Sequence, residues 1–183
     1  MKNKKSSRSS SLGKFGAFWG IVGLSLLFSR ALFALSHYVP EMRGTPDHPV
    51  ELHWYHWAAL GVCLLFMGYA EGYKGFQLKF SPRAAARALY LKRNPTIARV
   101  IFAPLFCMGY FHATRKRKIV SYSITCMIIG LIIGVHHTTQ PWHGIIDAGV
   151  LFGLGWGMIT VWIFAFKAFF GPGFDISPET PDA

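Results

Sequence analysis

Acidic side chains are scarce in this chain. Asp and Glu number 8 against 19 Lys and Arg, which leaves a formal charge of +11 over 183 residues. A positive excess of that size suits either nucleic acid or a membrane surface. Here the bases flank apolar blocks and no nucleic-acid motif is present, so membrane orientation is the reading and nucleic acid is set aside. Cysteine is scarcer still. The 3 residues, Cys63, Cys107 and Cys126, all lie inside apolar stretches. An odd number without paired spacing excludes a disulfide framework or a zinc knuckle. They read as small packing residues. Amphipathic periods are also lacking from the apolar blocks, although 52% of residues are hydrophobic. Apolar blocks without a polar face are the mark of helices that meet lipid.

The catalytic signatures that can be read from spacing are missing. There is no P-loop, dinucleotide fingerprint, G-x-S-x-G or H-E-x-x-H. The haem-attachment run C-x-x-C-H is absent, and no internal repeat of fixed period appears. Without an inverted repeat, a self-sufficient transporter is disfavoured. His53-x-x-His56 and His136-His137 are only fragments of the boxes of membrane di-iron desaturases, and no H-x-x-H-H run occurs, so that resemblance fails.

What is present predicts an all-α polytopic membrane protein. It has four transmembrane helices, a basic amphipathic surface helix and a short re-entrant or interfacial segment. Residues 1–14 are rich in Lys, Arg and Ser and read as a disordered cytoplasmic tail. Residues 15–171 form a single transmembrane domain with spans at about 15–37, 53–72, 119–136 and 143–170. Residues 15–37 are too long for a signal-peptide core and read as an uncleaved anchor, with Gly16 and Gly20 as a helix-packing pair. Trp54, Tyr55 and Trp57 give span two an interfacial belt. Residues 73–118 form a basic cytoplasmic-side loop, in which Ser81-Pro82 starts a surface helix and Asn94-Pro95 stops it. Within that loop, 97–112 is too short to cross, since a span takes about 20 apolar residues. Residues 172–183 are a polar, acidic tail. Of the 19 Lys and Arg, 17 fall in the N-terminal tail, the 73–118 loop and Lys167, whereas Arg43 is alone on the other side. Both termini are therefore expected in the cytoplasm, with the plasma or inner membrane as the setting.

Three constellations carry the functional expectations. The first is the set of histidines at the outer ends of the spans: His37, His53, His56, His136, His137 and His143. Imidazole binds Zn, Cu, Fe and Ni, and two opposed rings can hold a haem, so a transition-metal or haem site is expected there. Asp47, Glu51 and Asp147 are carboxylates that could orient those rings. The second is an intramembrane pair. Arg30 and Asp147 lie ~10 Å and ~6 Å inside their spans at 1.5 Å per residue, close enough in depth to pair. The third is a glycine stripe. Gly149, Gly153 and Gly157 on span four and Gly130 and Gly134 on span three are expected to bring those two helices together.

These features lead to a membrane protein with an outer metal or haem site for metal handling or electron transfer. The different-class alternative is an assembly or scaffold subunit whose basic loop docks anionic lipid headgroups or another membrane protein. Arg83, Arg87, Arg115, Lys116, Arg117 and Lys118 are the docking residues in that case. A transporter or channel subunit, alone or as a homo-oligomer, is the third reading.

Overall fold

A computed structural model describes residues 2–45 and 48–181, with side chains for 11–44 and 49–181. Seven α-helices account for most of them. They are α1 (Lys2–Tyr38), α2 (Trp54–Met67), α3 (Ser81–Arg93), α4 (Ile97–Ile101), α5 (Ala103–Met108), α6 (Arg115–His136) and α7 (Trp142–Phe170). A π-helical stretch, Gly68–Phe80, joins α2 to α3 without a break. A 3-10 turn (Pro40–Arg43) and a two-residue hairpin, β1 (Gly44–Thr45) against β2 (His48–Pro49), follow α1. Asp47 and the side chain of His48 lie outside the described residues.

Among the described residues, three helical segments are long and apolar enough to cross a membrane: Ser11–Arg43, Arg115–His136 and Trp142–Phe170. The expected second span is not a separate helix of that kind. Its α-helical part has 14 residues and runs on into the π-helical stretch and α3. The basic stretch 1–14, expected to be disordered, is helical from Lys2.

The core is a bundle in which α1, the run 54–93 and α7 each pack on the other two, with α4 and α5 added against α1. Contacts along α7 set the directions. His56 meets Trp142, Cys63 meets Gly149, Phe76 meets Gly157 and Lys92 lies over the Phe169 ring. The run 54–93 is therefore parallel to α7. On α1, Tyr38 stacks on His143 while Gly13 lies against the Lys92 carbonyl, so α1 is antiparallel to both. The π-helical turn is wider than an α-turn. Residues four apart stay nearly in line, and Gly68, Gly72 and Phe76 successively face Phe152, Trp156 and Gly157.

Two expectations about packing are overturned here. The segment read as a surface helix, α3, is interior. Ala84, Ala85, Ala88 and Leu91 are fully buried, because their small or slim side chains let α3 close on α1 and α7. Ser81 does not cap a helix; its hydroxyl bonds that of Thr160 at 2.8 Å across the seam. The second correction concerns glycine. Gly149, Gly153 and Gly157 pack on Cys63, Glu71 and Phe76, not on α6. Gly130 and Gly134 have nothing within 4 Å. A glycine stripe favours close approach but does not choose the partner helix, and the parallel run 54–93 takes it.

The pair Gly16 and Gly20 does pack. With Gly23 it forms a trough on α1 filled by Val100, Cys107 and Pro104 from α4 and α5. Those helices, in the stretch expected to be interfacial, have only 5 and 6 residues. By contrast, α6 is held at its ends. Ser121 donates to the Met108 carbonyl at 2.9 Å and Thr125 meets the Tyr110 hydroxyl, while His136 sits by His143 at the other end.

Candidate functional site

The polar groups fall at three levels of the bundle. At the first, the histidine end, the rings do not converge. His53 and His56 form a reciprocal cap on α2, with the His53 backbone N–H donating to His56 Nδ1 at 3.0 Å. His53 Nδ1 also lies 3.2 Å from the Glu51 carbonyl oxygen. His56 is buried and meets Trp142 edge-on, with ring centres 5.4 Å apart. His143 belongs to a different group. It pairs with Asp147 at 3.2 Å, one turn along α7, and stacks on Tyr38. The His136 ring lies 6.5 Å from His143 and 6.3 Å from His137, and both His136 and His137 are exposed. His37 is exposed. Among the described residues, no group of three or more His, Cys, Asp or Glu is arranged to hold a metal ion. The six expected ligands are thus divided between a helix cap, an ion pair and exposed rings.

At the middle level the expected Arg30–Asp147 pair is not formed. Asp147 is buried and takes His143 as its partner. Helix register is the reason. Ser29 lies against Met158, with 3.7 Å from its hydroxyl to the sulfur, and Met158 is 11 residues beyond Asp147 on α7. At 1.5 Å per residue that separates the two charges by about 16 Å. Arg30 itself is exposed.

Sequence reasoning missed the other charge at this level. A span over 53–72 predicts Glu71 at its inner interface. Because the helical run continues to Arg93, Glu71 instead lies within the bundle, half-buried against Gly153. A Cβ on Gly153 would be 2.9 Å from Glu71 Oε2, so the glycine makes room for the carboxylate. The available signal was Gly68-x-x-x-Gly72 around it, a small-residue pair that marks a helix continuing into a packed interface.

At the third level Arg87 is buried entirely. Its guanidinium donates to four carbonyls: Phe106 at 2.5 Å, Pro178 at 2.8 Å, Phe111 at 2.9 Å and His112 at 3.1 Å. It also lies 4.2 Å from the centre of the Phe106 ring. Phe111 and His112 belong to the turn beyond α5, where Gly109 and His112 have positive φ; the Phe106 carbonyl also accepts from the Gly109 N–H, and Pro178 belongs to the C-terminal segment. Arg117 is buried beside Arg87, 3.9 Å from the Glu179 carboxylate, and Arg83 reaches the same carboxylate at 3.3 Å. The Thr114 N–H donates to the Glu179 carbonyl at 2.9 Å. Three of the six expected docking bases therefore hold the chain's own C-terminal segment. Arg115, Lys116 and Lys118 remain exposed.

Comparison with family models, curated proteins and solved structures returns no match for this chain. The class follows from the fold alone: an all-helical integral membrane protein whose core is a bundle with charge inside it.

Proposed function

We propose that this chain is a four-span subunit of a plasma or inner membrane, with both termini in the cytoplasm, that works by associating with another membrane chain. Parity supports the fourth crossing. α1 and α7 share one end at Tyr38 and His143, and α6 finishes at that same end beside His143. The chain leaves α1 there and enters α6 at the opposite end, so it has to return in between. The run 54–93, parallel to α7 over its length, is the return. The concentration at the far end of the Lys and Arg in the N-terminal tail, in 81–118 and at Lys167 supports the orientation.

The observation that carries the association is Arg30. It is exposed within an apolar span and makes no hydrogen bond or ion pair among the described residues. A cation left in lipid costs at least ~2.5–3.5 kcal/mol at the helix centre, so a carboxylate on a neighbouring helix is the expected partner. The unoccupied glycine face of α6 offers a second place for close helix contact. Arg115, Lys116 and Lys118 would rest on anionic headgroups.

Crosslinking in native membranes, followed by a native gel, tests this. The wild type should run as a complex that Arg30→Lys keeps and Arg30→Leu loses. A complex that survives Arg30→Leu removes the basis for the reading. A complex formed by the purified chain alone would make the partner a second copy.

A second reading keeps a transition metal or haem at the outer end, and the nearness of His136 to His143, itself oriented by Asp147, favours it. Elemental analysis with an optical spectrum, beside a His136→Ala/His137→Ala/His143→Ala variant, tests it. Stoichiometric metal or a haem band lost in the variant supports the site. A variant with the same content as the wild type counts against these ligands.

A further inference from the structure

We infer that Glu71 is a proton-binding carboxylate in the interior of the membrane. Its depth is read from α7. Gly153, which seats the carboxylate, lies 11 residues after Trp142 and 17 before Phe170. At 1.5 Å per residue these are about 16 Å and about 26 Å from the helix ends. Neither end of Glu71's own helical run is near, since that run extends from Trp54 to Arg93.

No cation neutralises it. Glu71 makes no ion pair or hydrogen bond among the described residues. The nearest cation in sequence, Lys74, is over the Tyr69 ring at 4.7 Å. On α7 the ionisable groups are His143 and Asp147, already paired with each other, and Lys167 at the far end. On α2 it is Cys63, two turns outward, and on α3 the first charges are Arg83 and Arg87, both engaged elsewhere. On α1 it is the exposed Arg30. A carboxylate in such surroundings favours its neutral form, in which the proton sits on one oxygen and no charge is buried. Deprotonation returns the charge, so the group can accept and release one proton.

The seam around Glu71 is built for a group that changes state. Gly153 leaves space for the carboxylate where any other residue would place a Cβ. The backbone there is π-helical over Gly68–Phe80. Polar side chains continue along the same seam: Cys63 against Gly149 on the outer side, then Gln77 bonded to Trp156 and Ser81 to Thr160 on the inner side. None of this depends on Arg30 or on a partner chain.

Dicyclohexylcarbodiimide tests the assignment, because it attaches to protonated carboxyl groups in apolar surroundings. The full-length protein in detergent would be treated across a range of pH, digested and analysed by mass spectrometry. The expected result is an adduct on Glu71 whose yield falls as pH rises, which is lost in Glu71→Gln and retained in Glu71→Asp. Gly153→Ala should reduce it in protein that is still folded. Folded wild type that stays unlabelled on Glu71 at acid pH, or a yield independent of pH, overturns the proposal. Protection by sodium at fixed pH also overturns it, since the ligand would then be a metal cation.

Discussion

The two ends of the bundle handle polar groups in opposite ways. At the Lys- and Arg-rich end a full charge is buried, and four of its five N–H donors are used: Arg87 bonds the carbonyls of Phe106, Phe111, His112 and Pro178. At the histidine end the groups are amphipathic rings, several of them exposed, and they meet in pairs. The comparison teaches that the guanidinium with no exposure, Arg87, is the one given several carbonyl acceptors, whereas Asp147 and Arg117, also buried, each rest on a charged partner, because an unpaired buried charge costs several kcal/mol. Rings can sit at an interface without such partners. The Arg87 end should therefore be the more sensitive to substitution.

That asymmetry can be broken most directly at Arg87. Replacing it by Met takes that donor from the Pro178, Phe111 and His112 carbonyls, and thermal unfolding in detergent should show a loss of roughly 3–5 kcal/mol, at about 1–3 kcal/mol for each buried acceptor left unsatisfied. Arg87→Lys should recover little, because an ammonium has three donors and no planar fork. A lesser loss is expected at the glycine seam. Gly157→Ala places a Cβ 2.5 Å from Phe76 Cγ and should cost about 1–3 kcal/mol by overpacking. Gly130→Ala is the matched control, with nothing within 4 Å, and should not lower stability.

Smaller effects sharpen the comparison. His56→Ala removes half of the α2 cap and should cost about 1 kcal/mol in the same melts. Glu179→Gln breaks the pair with Arg83 and Arg117. The Arg83 and Glu179 side chains are 33% and 32% exposed, so the change should be under about 1 kcal/mol. Its clearer sign should be faster proteolysis of the C-terminal segment at unchanged melting temperature. If Glu179→Gln destabilises as much as Arg87→Met, the acid rather than the carbonyl cage holds that end.

Several features were legible from spacing. Asn94-Pro95 stops α3 at Arg93, Gly171 follows the last residue of α7, and the apolar runs of α6 and α7 appear as helices of nearly the expected bounds. The site residues were much less so. Arg83, Arg87 and Arg117 looked alike as loop bases, yet Arg87 and Arg117 are interior and Arg83 joins Arg117 at the C-terminal carboxylate. Arg30 and Asp147 matched in depth when each was measured from its own helix end. The register of α1 against α7 separates them, and no local pattern encodes register between distant helices.

By itself the sequence determined that this protein belongs to a membrane, where its principal helices stop and that its bases crowd one end. Those properties depend on hydropathy, capping and charge, which are summed over neighbours in the chain. Only the tertiary structure decided which glycine face found a partner, which arginine became interior and that Glu71 lies deep in the bundle. Those outcomes depend on helix order and register, which come from contacts between residues 80 or more positions apart, such as Ser29 with Met158 and Arg87 with Pro178.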